Sequence, residues 1–332
     1  MGKTSLITGV NGHLGNNLLR YLLDKGETVI GTVRNMNDKS PFKGLNFTPV
    51  YADLNNKESL LKVLYGVDTL YQVAAVFKQW TINSEKDIYD SNMNGTRNII
   101  EAAAESGVKK IVYVSSIAAM GRNKFPISPD HFNDEKENVY YRSKIDSEKL
   151  AWELAEKFKL NMVVVCPSAM IGPHCTYLTP SHNILKMVLN KEVFTDSQFY
   201  INWVNVKDVA EGCFRAAQDG VPGQRYGLGT KKAIGITEVV KLAQKRYPEL
   251  NIKTPPKMPR WMLHASAASM ELISKITRTE PMLLKSQVRM YFQVRQDMDI
   301  SKSERHLGYK PTEPDIAIQN ALKYLYENKH IK

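Results

Sequence analysis

The chain has 332 residues, of which 43% are hydrophobic and 24% are charged, an ordinary composition for a globular protein with a sizeable core. Its 45 Lys and Arg outnumber its 34 Asp and Glu for a formal net charge of +11. These cations are scattered, without a recognisable nucleic-acid module, so a small anionic ligand is expected rather than nucleic acid.

Two targeting classes are also excluded by the sequence. No uncharged apolar stretch reaches the about 18 residues of a membrane span, and the nearest candidate is Trp261–Met270. The first apolar run leads directly into a glycine turn, which is not the pattern of a secretory leader. The predicted location is therefore the cytoplasm.

In chain order, the first half alternates short β-rich runs with longer segments whose apolar residues recur at three- and four-residue spacing. The predicted strands are Ser5–Thr8, Thr28–Val33, Thr48–Tyr51, Thr69–Val73, Ile111–Ser115 and Met162–Cys166. The predicted helices between them are Asn16–Lys25, Lys57–Leu64, Thr96–Ser106 and Tyr141–Phe158. This alternation predicts an α/β fold with a doubly wound parallel sheet.

After residue 166 the pattern loosens, because prolines interrupt it. One further strand, Tyr200–Val206, and one further helix, Asp208–Ala217, are predicted before a loop at 254–260 leads into a last helical region. We therefore expect a smaller carboxyl-terminal lobe beside the sheet domain. The predicted division assigns residues 1–165 and 202–222 to the sheet domain, and 166–201 and 223–332 to the lobe.

Three glycines separate the first strand from the first helix. Gly9, Gly12 and Gly15 permit a sharp turn, a close backbone approach to a pyrophosphate, and tight helix–strand packing. The helix amino terminus then offers free N–H groups and its positive dipole end to phosphates. This context predicts a dinucleotide site. The turn residues expected to contact the cofactor are Gly9, Asn11, Gly12, His13, Leu14 and Gly15.

The end of the second strand indicates which dinucleotide binds. A site that selects NAD usually carries an acid there to hold the ribose hydroxyls. Residues 29–35 contain no acid, and Arg34 is in reach instead. A guanidinium matches a 2′-phosphate, so NADP(H) is predicted over NAD(H). The alternative is that Arg34 lies across the adenine or points to solvent. Asp53 and Leu54, after the third strand, are predicted adenine contacts.

Tyr140 and Lys144 are four residues apart at the start of the fourth helix, so they share one helix face. Reduction of a carbonyl requires a proton for the oxygen, and a tyrosine hydroxyl can supply it. Free tyrosine has a pKa near 10, which a neighbouring ammonium lowers. Tyr140 is therefore the predicted general acid/base and Lys144 its electrostatic partner. Tyr141 is rejected, because its fourth following residue is Ile145.

A serine is the predicted third member of this group. Ser115 and Ser116 end the strand that precedes the tyrosine helix, and a hydroxyl at a strand's carboxyl end points into the cleft where such sheets bind ligands. There it can hydrogen-bond the substrate oxygen. Ser116 is preferred, and Ser115 stays open, because spacing alone does not separate adjacent serines.

These motifs occur in one order along essentially the whole chain. They are Gly9-x-x-Gly12-x-x-Gly15, Val73-Ala74-Ala75, Asn92-Met93-Asn94-Gly95-Thr96, Val114-Ser115-Ser116, Tyr140-x-x-x-Lys144, Pro167-Ser168-Ala169-Met170-Ile171-Gly172-Pro173, Trp203–Ala210 and Leu307-Gly308-Tyr309-Lys310-Pro311. Together they resemble the extended short-chain dehydrogenases/reductases of the NAD-dependent epimerase/dehydratase superfamily. The dihydroflavonol reductase and 3β-hydroxysteroid dehydrogenase branch is most similar. The resemblance implies a Rossmann fold whose sheet domain binds NADP(H).

The resemblance also implies site residues that spacing alone does not indicate. The backbone after the sixth strand would meet the nicotinamide carboxamide, Lys144 would hydrogen-bond the nicotinamide ribose, and the distance from Gly121 favours Ser116 over Ser115. Asn92 and Thr96 are expected to brace the helix beside the cofactor. The further cofactor contacts implied are Val73, Ala74, Ala75, Asn92, Ser115, Tyr140, Lys144, Pro167, Ala169 and Met170. A homodimer through the helices at 92–106 and 141–158 follows from the same analogy.

The substrate is expected to lie between the two lobes. Its predicted contacts are Val76, Phe77, Ser116, Met120, Tyr140, Met170 and Tyr177. Such an aromatic and apolar set favours a hydrophobic aldehyde or ketone of the aromatic or polycyclic kind, although the same residues could be core.

No metal site is predicted. Cys166, Cys175 and Cys213 lack metal-ligand or disulfide spacing and are expected to be buried, reduced thiols. His174 and His182 have no nearby partner grouping in the sequence and are interpreted as loop residues.

Three functions remain open. The first is an NADPH-dependent aldehyde or ketone reductase, including a hydroxysteroid-type dehydrogenase. The second is a nucleotide-sugar epimerase or dehydratase with bound NAD. Arg34 argues against it, because an arginine after the second strand favours NADP(H). The third is a non-catalytic NADP sensor on the same fold. The presence of the predicted catalytic residues argues against it: Ser116, Tyr140 and Lys144.

Overall fold

The computed structural model describes residues 3–78, 80–122 and 124–328. In chain order its strands are β1 (Thr4–Thr8), β2 (Thr28–Val33), β3 (Val50–Tyr51), β4 (Thr69–Gln72), β5 (Lys110–Val114), β6 (Met120–Gly121), β7 (Ser128–Phe132), β8 (Met162–Pro167), β9 (Ala169–Ile171), β10 (Tyr200–Ile201), β11 (Trp203–Asn205), β12 (Arg225–Leu228) and β13 (Ile234–Gly235). Its α-helices are α1 (His13–Asp24), α2 (Lys57–Leu64), α3 (Ser91–Glu105), α4 (Val139–Lys157), α5 (Pro180–Leu189), α6 (Val206–Asp219), α7 (Ile236–Arg246), α8 (Arg260–Thr277), α9 (Lys285–Tyr291), α10 (Ser301–Leu307) and α11 (Pro314–Glu327).

Seven strands form one parallel sheet in the order β3-β2-β1-β4-β5-β8-β12. The chain moves outward from β1 to β3 on one side and from β4 to β12 on the other, so the strand order reverses between β1 and β4. Ligands of such sheets bind at the carboxyl ends of the strands on either side of the reversal. The predicted doubly wound α/β fold is confirmed.

Helices cover both faces of the sheet, which explains why a strand such as β8 is an uninterrupted apolar run. Val163, Val164 and Val165 are fully buried. Helix α1 packs on α6, while α2 and α4 pack on α3. Right-handed crossovers place these two groups on opposite faces of the sheet.

A second apolar core lies outside the sheet and belongs to the smaller carboxyl-terminal unit. Helices α5 and α11 pack on each other and around β9 and β11. Trp203 is almost fully buried in this core, and its indole N–H donates to the Ile234 carbonyl at 3.1 Å.

Helices α8 and α9 form a hairpin (Arg260–Tyr291) at the side of this unit. Leu263 and Val288 pack between the two helices. At its far end, Tyr291 packs with Tyr140 and Tyr141 at the start of α4. One end of the hairpin therefore borders the tyrosines that the sequence singled out.

Several element boundaries differ from prediction: helix α3, for example, begins at Ser91 rather than Thr96. Two further differences have a local reason. Helix α1 begins at His13 rather than Asn16, because the glycine turn is already its first turn. The predicted strand Tyr200–Val206 is split at Asn202, which is fully buried. The Asn202 side-chain amide donates to the carbonyls of Thr230 and Gln296 at 2.6 and 2.9 Å, so its side chain joins three segments where the strand breaks.

The predicted domain boundary at residue 223 requires a correction. Strand β12 pairs with β8 and is the seventh strand of the main sheet. Helix α10 also packs here, with the Ser303 hydroxyl donating to the Gly227 carbonyl at 2.7 Å and Leu307 in the main core. Residues 225–228 and 301–309 thus belong to the sheet domain. Sequence periodicity did not indicate which sheet a short apolar run would join.

Among the described residues, no helix combines the length and apolar character needed to cross a membrane. The three cysteines are buried and free, as the sequence analysis expected.

Candidate active site

The glycine turn has the backbone geometry of a phosphate cradle. Gly9 has a φ of +69°, and a Cβ there would lie 3.0 Å from the Ala74 Cβ. A Cβ on Gly15 would lie 2.3 Å from the Gly9 carbonyl oxygen, so any side chain would displace α1 from β1. The first N–H groups of α1 have no acceptor within the helix and face the turn. The turn therefore fits a pyrophosphate, as predicted from the sequence.

A threonine hydroxyl joins the ends of the two strands at the reversal of strand order. Thr8 Oγ1 accepts from the backbone N–H groups of Val73 and Ala74, both at 2.9 Å, and donates to the Gln72 side chain at 2.8 Å. The predicted cofactor segment 73–75 is therefore held beside the glycine turn. A small recess at this edge is lined by Leu54, Ala74, Ala75, Asn92 and Lys144, among other residues, so it unites predicted cofactor residues from four separate motifs.

Asn92 braces the recess, as expected from the sequence. Its side-chain oxygen accepts from the Val76 N–H at 2.8 Å, and its amide donates to the Ser143 hydroxyl at 3.1 Å. Ser143 in turn donates to the Tyr140 carbonyl at 2.8 Å. Thr96 shares a 2.9 Å hydrogen bond with the Tyr113 hydroxyl. Helices α3 and α4 are thus linked directly below the recess.

The tyrosine and serine of the predicted group are brought together. Tyr140 is 4% exposed, and Ser116 is the polar neighbour that acts on the pKa of its phenol. Burial raises the pKa of Tyr140 well above its ordinary value, and the neighbouring Ser116 side chain opposes that rise. The lowering predicted from Lys144 is not seen: Ser116, and not the Lys144 ammonium, is the group that lowers the pKa of Tyr140 in this structure.

Lys144 lies one turn after Tyr140 and is also buried. Burial lowers the pKa of Lys144 to about 8, against a smaller raising effect of the Glu148 carboxylate one turn further along α4. The ammonium is therefore protonated at neutral pH, with a pKa close enough to neutrality to respond to its surroundings.

The two candidate serines have different partners. The Ser115 hydroxyl donates to the buried Glu148 carboxylate at 2.5 Å, whereas the Ser116 oxygen accepts from the Ala118 N–H at 3.1 Å and lowers the pKa of the Tyr140 phenol. Their side chains alternate in direction at the end of β5, which spacing alone did not resolve. This geometry favours Ser116 as the hydroxyl nearest the cleft.

A buried ion pair behind this group was missed by the sequence analysis. Arg225 on β12 donates to Glu148 at 2.5 Å through Nε and 3.1 Å through a terminal nitrogen. The same guanidinium bonds the carbonyls of Ala119 and His131 at 3.2 and 3.0 Å. The available signal was an arginine within an otherwise apolar strand. Its partner, 77 residues earlier in the chain, was not predictable from spacing.

Tyr141 is occupied elsewhere. Its hydroxyl accepts from the Arg122 guanidinium at 3.0 Å, and that guanidinium also lies 4.9 Å from the ring centroids of Tyr141 and Tyr291. This agrees with the choice of Tyr140 over Tyr141 in the sequence analysis.

Some of the predicted substrate residues lie at Tyr140 in the structure, and others do not. Val76 and Phe77 lie at Tyr140, with the Phe77 and Tyr140 rings 5.4 Å apart. Met120 is instead fully buried in the main core, because it begins β6 below the sheet edge. Tyr177 is 72% exposed and its hydroxyl donates to Asp38, in the loop after β2. Neither Met120 nor Tyr177 therefore lines the wall at Tyr140. Tyr291 of the α8–α9 hairpin, which was not predicted, does.

The segment after β8 is only partly buried. Ala169 and Met170 are partly exposed, and the Ala169 N–H donates to the Asn202 carbonyl at 2.9 Å. Pro167 is buried as the last residue of β8. The buried Ser168 hydroxyl has no hydrogen-bond partner among the described residues. An unsatisfied hydroxyl there fits a polar ligand group such as a carboxamide.

The predicted selectivity residue lies at the edge of the site. Val33 ends β2 and is buried, and the Arg34 side chain that follows is exposed, with no ion pair in the described ranges. Lys39 lines a nearby surface cavity that also includes Lys43 and Phe47. Asp53, the predicted adenine contact, uses a carboxylate oxygen to accept the Asn55 N–H at 2.9 Å.

A buried His–Cys–His cluster was not anticipated. The ligand atoms of His13, Cys175 and His182 lie within 4.8 Å of one another. Burial and the neighbouring His182 lower the pKa of His13 to about 3, so its ring is neutral. However, His182 bonds Thr179 and Gly172 at 2.8 and 2.9 Å, and the Cys175 thiol donates to the Tyr177 carbonyl at 2.7 Å. Because two of the three side chains already have partners, the absence of a metal stays the prediction.

The comparisons with known proteins agree with this geometry. The model of the NAD dependent epimerase/dehydratase family matches residues 5–229. The chain is 28% identical to sterol demethylase protein B of Methylococcus capsulatus, over 98% of both chains. It is 32% identical to a putative dihydroflavonol 4-reductase of Synechocystis sp., over 69% of this chain and 68% of that protein.

Solved structures show the same fold. The structure described as gox2253 superposes with a TM-score of 0.85 at 27% identity, over 99% of this chain and 100% of that one. Gre2 of Candida albicans in complex with NADPH has a TM-score of 0.76 at 20% identity, over 98% of this chain and 99% of that one.

Proposed function

The chain belongs to the NAD dependent epimerase/dehydratase family as an oxidoreductase acting on carbonyl or alcohol groups, and we propose that it is an NADP(H)-dependent reductase of a hydrophobic aldehyde or ketone. The observation that carries the proposal is the buried Tyr140 phenol, whose pKa is lowered by the neighbouring Ser116 side chain against the effect of burial. It lies beside Lys144, at the sheet edge where the glycine turn opens.

The residues present fit a dinucleotide. The glycine turn leaves no room for a Cβ at Gly9 or Gly15, and the first turn of α1 would hold the pyrophosphate through its N–H groups. Lys144, beside Ala74 and Ala75, would hydrogen-bond the nicotinamide ribose, and Ser168 would meet the carboxamide. When bound, NADPH supplies the hydride for the carbonyl carbon.

The side chains at the triad (Ser116, Tyr140 and Lys144) supply the proton and the polar contacts. Tyr140 keeps its proton at neutral pH, because burial raises its pKa, so it is available to protonate the substrate oxygen. Ser116 would donate to that oxygen and stabilise its developing negative charge. The Lys144 ammonium would stabilise the phenolate left behind until it is reprotonated.

The walls around Tyr140 support an apolar substrate. The rings of Phe77 and Tyr141 lie against Tyr140, Tyr291 packs on Tyr141, and Val76 and Met290 belong to the same cluster. Aromatic and thioether side chains of this kind bind flat, apolar molecules, with few polar groups to fix their orientation. The putative dihydroflavonol 4-reductase of Synechocystis sp., a relative at 32% identity, is described as a reductase.

The choice of NADP(H) rests on Arg34 and on the absence of an acid at the end of β2. An exposed guanidinium without an ion-pair partner in the described ranges is free to bind a 2′-phosphate. The complex of Gre2 with NADPH shows that protein, which shares the fold, using this cofactor.

A panel of aldehydes, ketones, flavanones and steroids, assayed with NADPH and with NADH at the nicotinamide absorbance, tests the activity. A reductase oxidises one NADPH for each product formed. Product formation without net cofactor oxidation would instead indicate an epimerase, and cofactor binding without turnover of any substrate would indicate a sensor.

The cofactor preference is tested with two variants. Arg34→Ala should raise the KM for NADPH roughly tenfold to a hundredfold, the value of a lost charge-assisted contact, and leave the KM for NADH almost unchanged. Lys39→Ala measures whether that lysine shares the phosphate. A wild type that prefers NADH, or an unchanged ratio of catalytic efficiencies in Arg34→Ala, would contradict the assignment of NADP(H).

A further inference from the structure

Helix α8 carries an apolar face on its outer side as well as its inner side. Its inner side buries Leu263, Ala267 and Ser274. Successive residues of a helix turn by about 100°, so Trp261, Leu272 and Ile276 point in nearly the same outward direction. These three side chains are 70, 62 and 77% exposed.

The outward sector is continuous. Met262, Ala265, Ser269 and Ile273 share it, so no charged residue of α8 lies in an arc of about 120°. Met282, just after α8, is 74% exposed. At the other end, Phe194 is 78% exposed, and the nearby Asp196 N–H donates to the Pro256 carbonyl at 2.8 Å, which keeps that loop beside the start of α8. Single exposed apolar residues need no explanation, but a contiguous apolar face of this length does.

Cations border this apolar face. Between residues 257 and 285 the chain has five Lys and Arg against two Glu. Lys275 lies in the last turn of α8 and Arg278 follows it, both exposed, whereas the guanidinium of Arg260 at the start of α8 lies 5.9 Å from the Phe292 ring. One of the two acids, Glu271, accepts the Lys285 N–H at 2.7 Å, which reduces its availability for another cation.

We propose that the outer face of α8 docks on the surface of an anionic lipid bilayer. An apolar helix face that ends in a tryptophan and is bordered by Lys and Arg matches helices that lie in the membrane interface. The apolar side chains would enter the boundary between headgroups and acyl chains, and the cations would meet anionic headgroups. The absence of a spanning helix among the described residues is consistent with this peripheral arrangement.

A second copy of the chain is the competing occupant, and charge argues against it. Each copy has a formal net charge of +11, and pairing two α8 faces would bring their cationic borders together. An anionic bilayer satisfies both the apolar face and its border.

The docking surface also has a position relative to the proposed reaction. The inner side of the α8–α9 hairpin packs at Leu263 and Val288, and its far end reaches Tyr140 through Tyr291. The hairpin thus lies between the proposed bilayer and the proposed reductase site, which suits an apolar substrate dissolved in lipid. The docking itself does not depend on the reductase activity.

Co-sedimentation with vesicles tests the proposal. Wild-type protein should bind vesicles of phosphatidylcholine containing phosphatidylglycerol, bind phosphatidylcholine alone far less, and be released as salt rises. The double variant Leu272→Glu/Ile276→Glu should lose roughly tenfold or more of this binding. The matched control Val221→Glu/Ile316→Glu adds the same two charges at exposed apolar positions outside the hairpin and should bind as wild type does.

Three outcomes would overturn the proposal. They are no binding of wild type to phosphatidylglycerol vesicles, equal loss of binding in both double variants, or a wild-type dimer in sedimentation velocity that only the α8 variant converts to monomer. Thermal unfolding of both variants shows whether they remain folded, and Lys275→Glu provides a milder second variant that should weaken binding without touching the apolar face. Vesicle binding is measured without substrate or cofactor, so a failed reductase assay leaves this result intact.

Discussion

The candidate site has two walls of opposite character. On the sheet side, buried polar groups have partners: Glu148 binds Ser115 and Arg225, and Asn92 binds Val76 and Ser143. On the α8–α9 side, the wall is a helical hairpin in which few side chains are fully buried. Its polar ties are mainly exposed, such as the ion pairs of Arg289 with Glu135 and Glu137.

This difference suggests a division of roles between the walls. A saturated buried network fixes the positions of Ser116 and Tyr140, because moving any member would leave another polar group unsatisfied. A hairpin with few buried contacts opens at lower free energy and tolerates sequence change. Chemistry is therefore expected to depend on the sheet wall, and substrate choice on the hairpin wall.

The largest effect is expected at Tyr140. Tyr140→Phe removes the proton donor and keeps the ring, so turnover should fall by about 10²–10⁴ while cofactor affinity is retained. Tyr141→Phe is the matched control, since its hydroxyl binds Arg122 instead. Steady-state kinetics and a cofactor titration measure both quantities. An active Tyr140→Phe with an inactive Tyr141→Phe would exchange their roles.

The next effect concerns stability. Arg225→Met leaves Glu148 buried without its cation, which should reduce the free energy of unfolding by about 3–5 kcal/mol. Arg289→Ala breaks an exposed pair on the hairpin and should cost at most about 1 kcal/mol. Urea unfolding of the three proteins makes the comparison. Equal losses of unfolding free energy in the two variants would show that the polar contacts of the two walls contribute equally to stability.

Substitutions of the two serines should differ in their effect on activity. Ser116→Ala removes the donor proposed for the substrate oxygen, and kcat should fall by about 10²–10³. Ser115→Ala should affect stability more than kcat, because its hydroxyl binds Glu148. Kinetics and thermal unfolding of both variants test this, and the reverse order in kcat would assign the role to Ser115.

The pH dependence should follow Lys144. Its pKa is lowered to about 8 by burial, so the rate of carbonyl reduction should fall above that pH as the ammonium is lost, by about tenfold per pH unit. The folded protein releases this proton before the unfolded chain does, so the contribution of Lys144 to the free energy of unfolding should rise between pH 8 and 10.5. Profiles of kcat/KM for wild type and Lys144→Arg test the assignment. A wild-type rate that stays constant to pH 10 would contradict it.

The smallest effect is expected on the hairpin wall. Met290→Ala should weaken the binding of an apolar substrate by about 1 kcal/mol. The KM should therefore rise roughly fivefold, and kcat should stay nearly unchanged. The size of this change in KM should vary between the substrates in the panel. A fall in kcat with no change in KM would mean that the hairpin positions the reacting groups, as the sheet wall does.

Local spacing was sufficient for several features of the site. Gly9, Gly12 and Gly15 indicated the cofactor turn, and Tyr140 with Lys144 indicated one helix face, because each pattern is completed within a single turn or helix. The strand–helix alternation predicted the parallel sheet for the same reason. These features depend on residues that are close in sequence.

Only the tertiary structure decided the rest. Arg225 and Glu148 are 77 residues apart, and the choice between Ser115 and Ser116 depends on which hydroxyl meets that carboxylate. Met120 and Tyr177 lie near the site in sequence order but not at the wall of Tyr140, whereas Tyr291 lies at it. Hydrogen bonds and burial between distant segments depend on how the chain packs, and the spacing of residues along one segment carries no information about that packing.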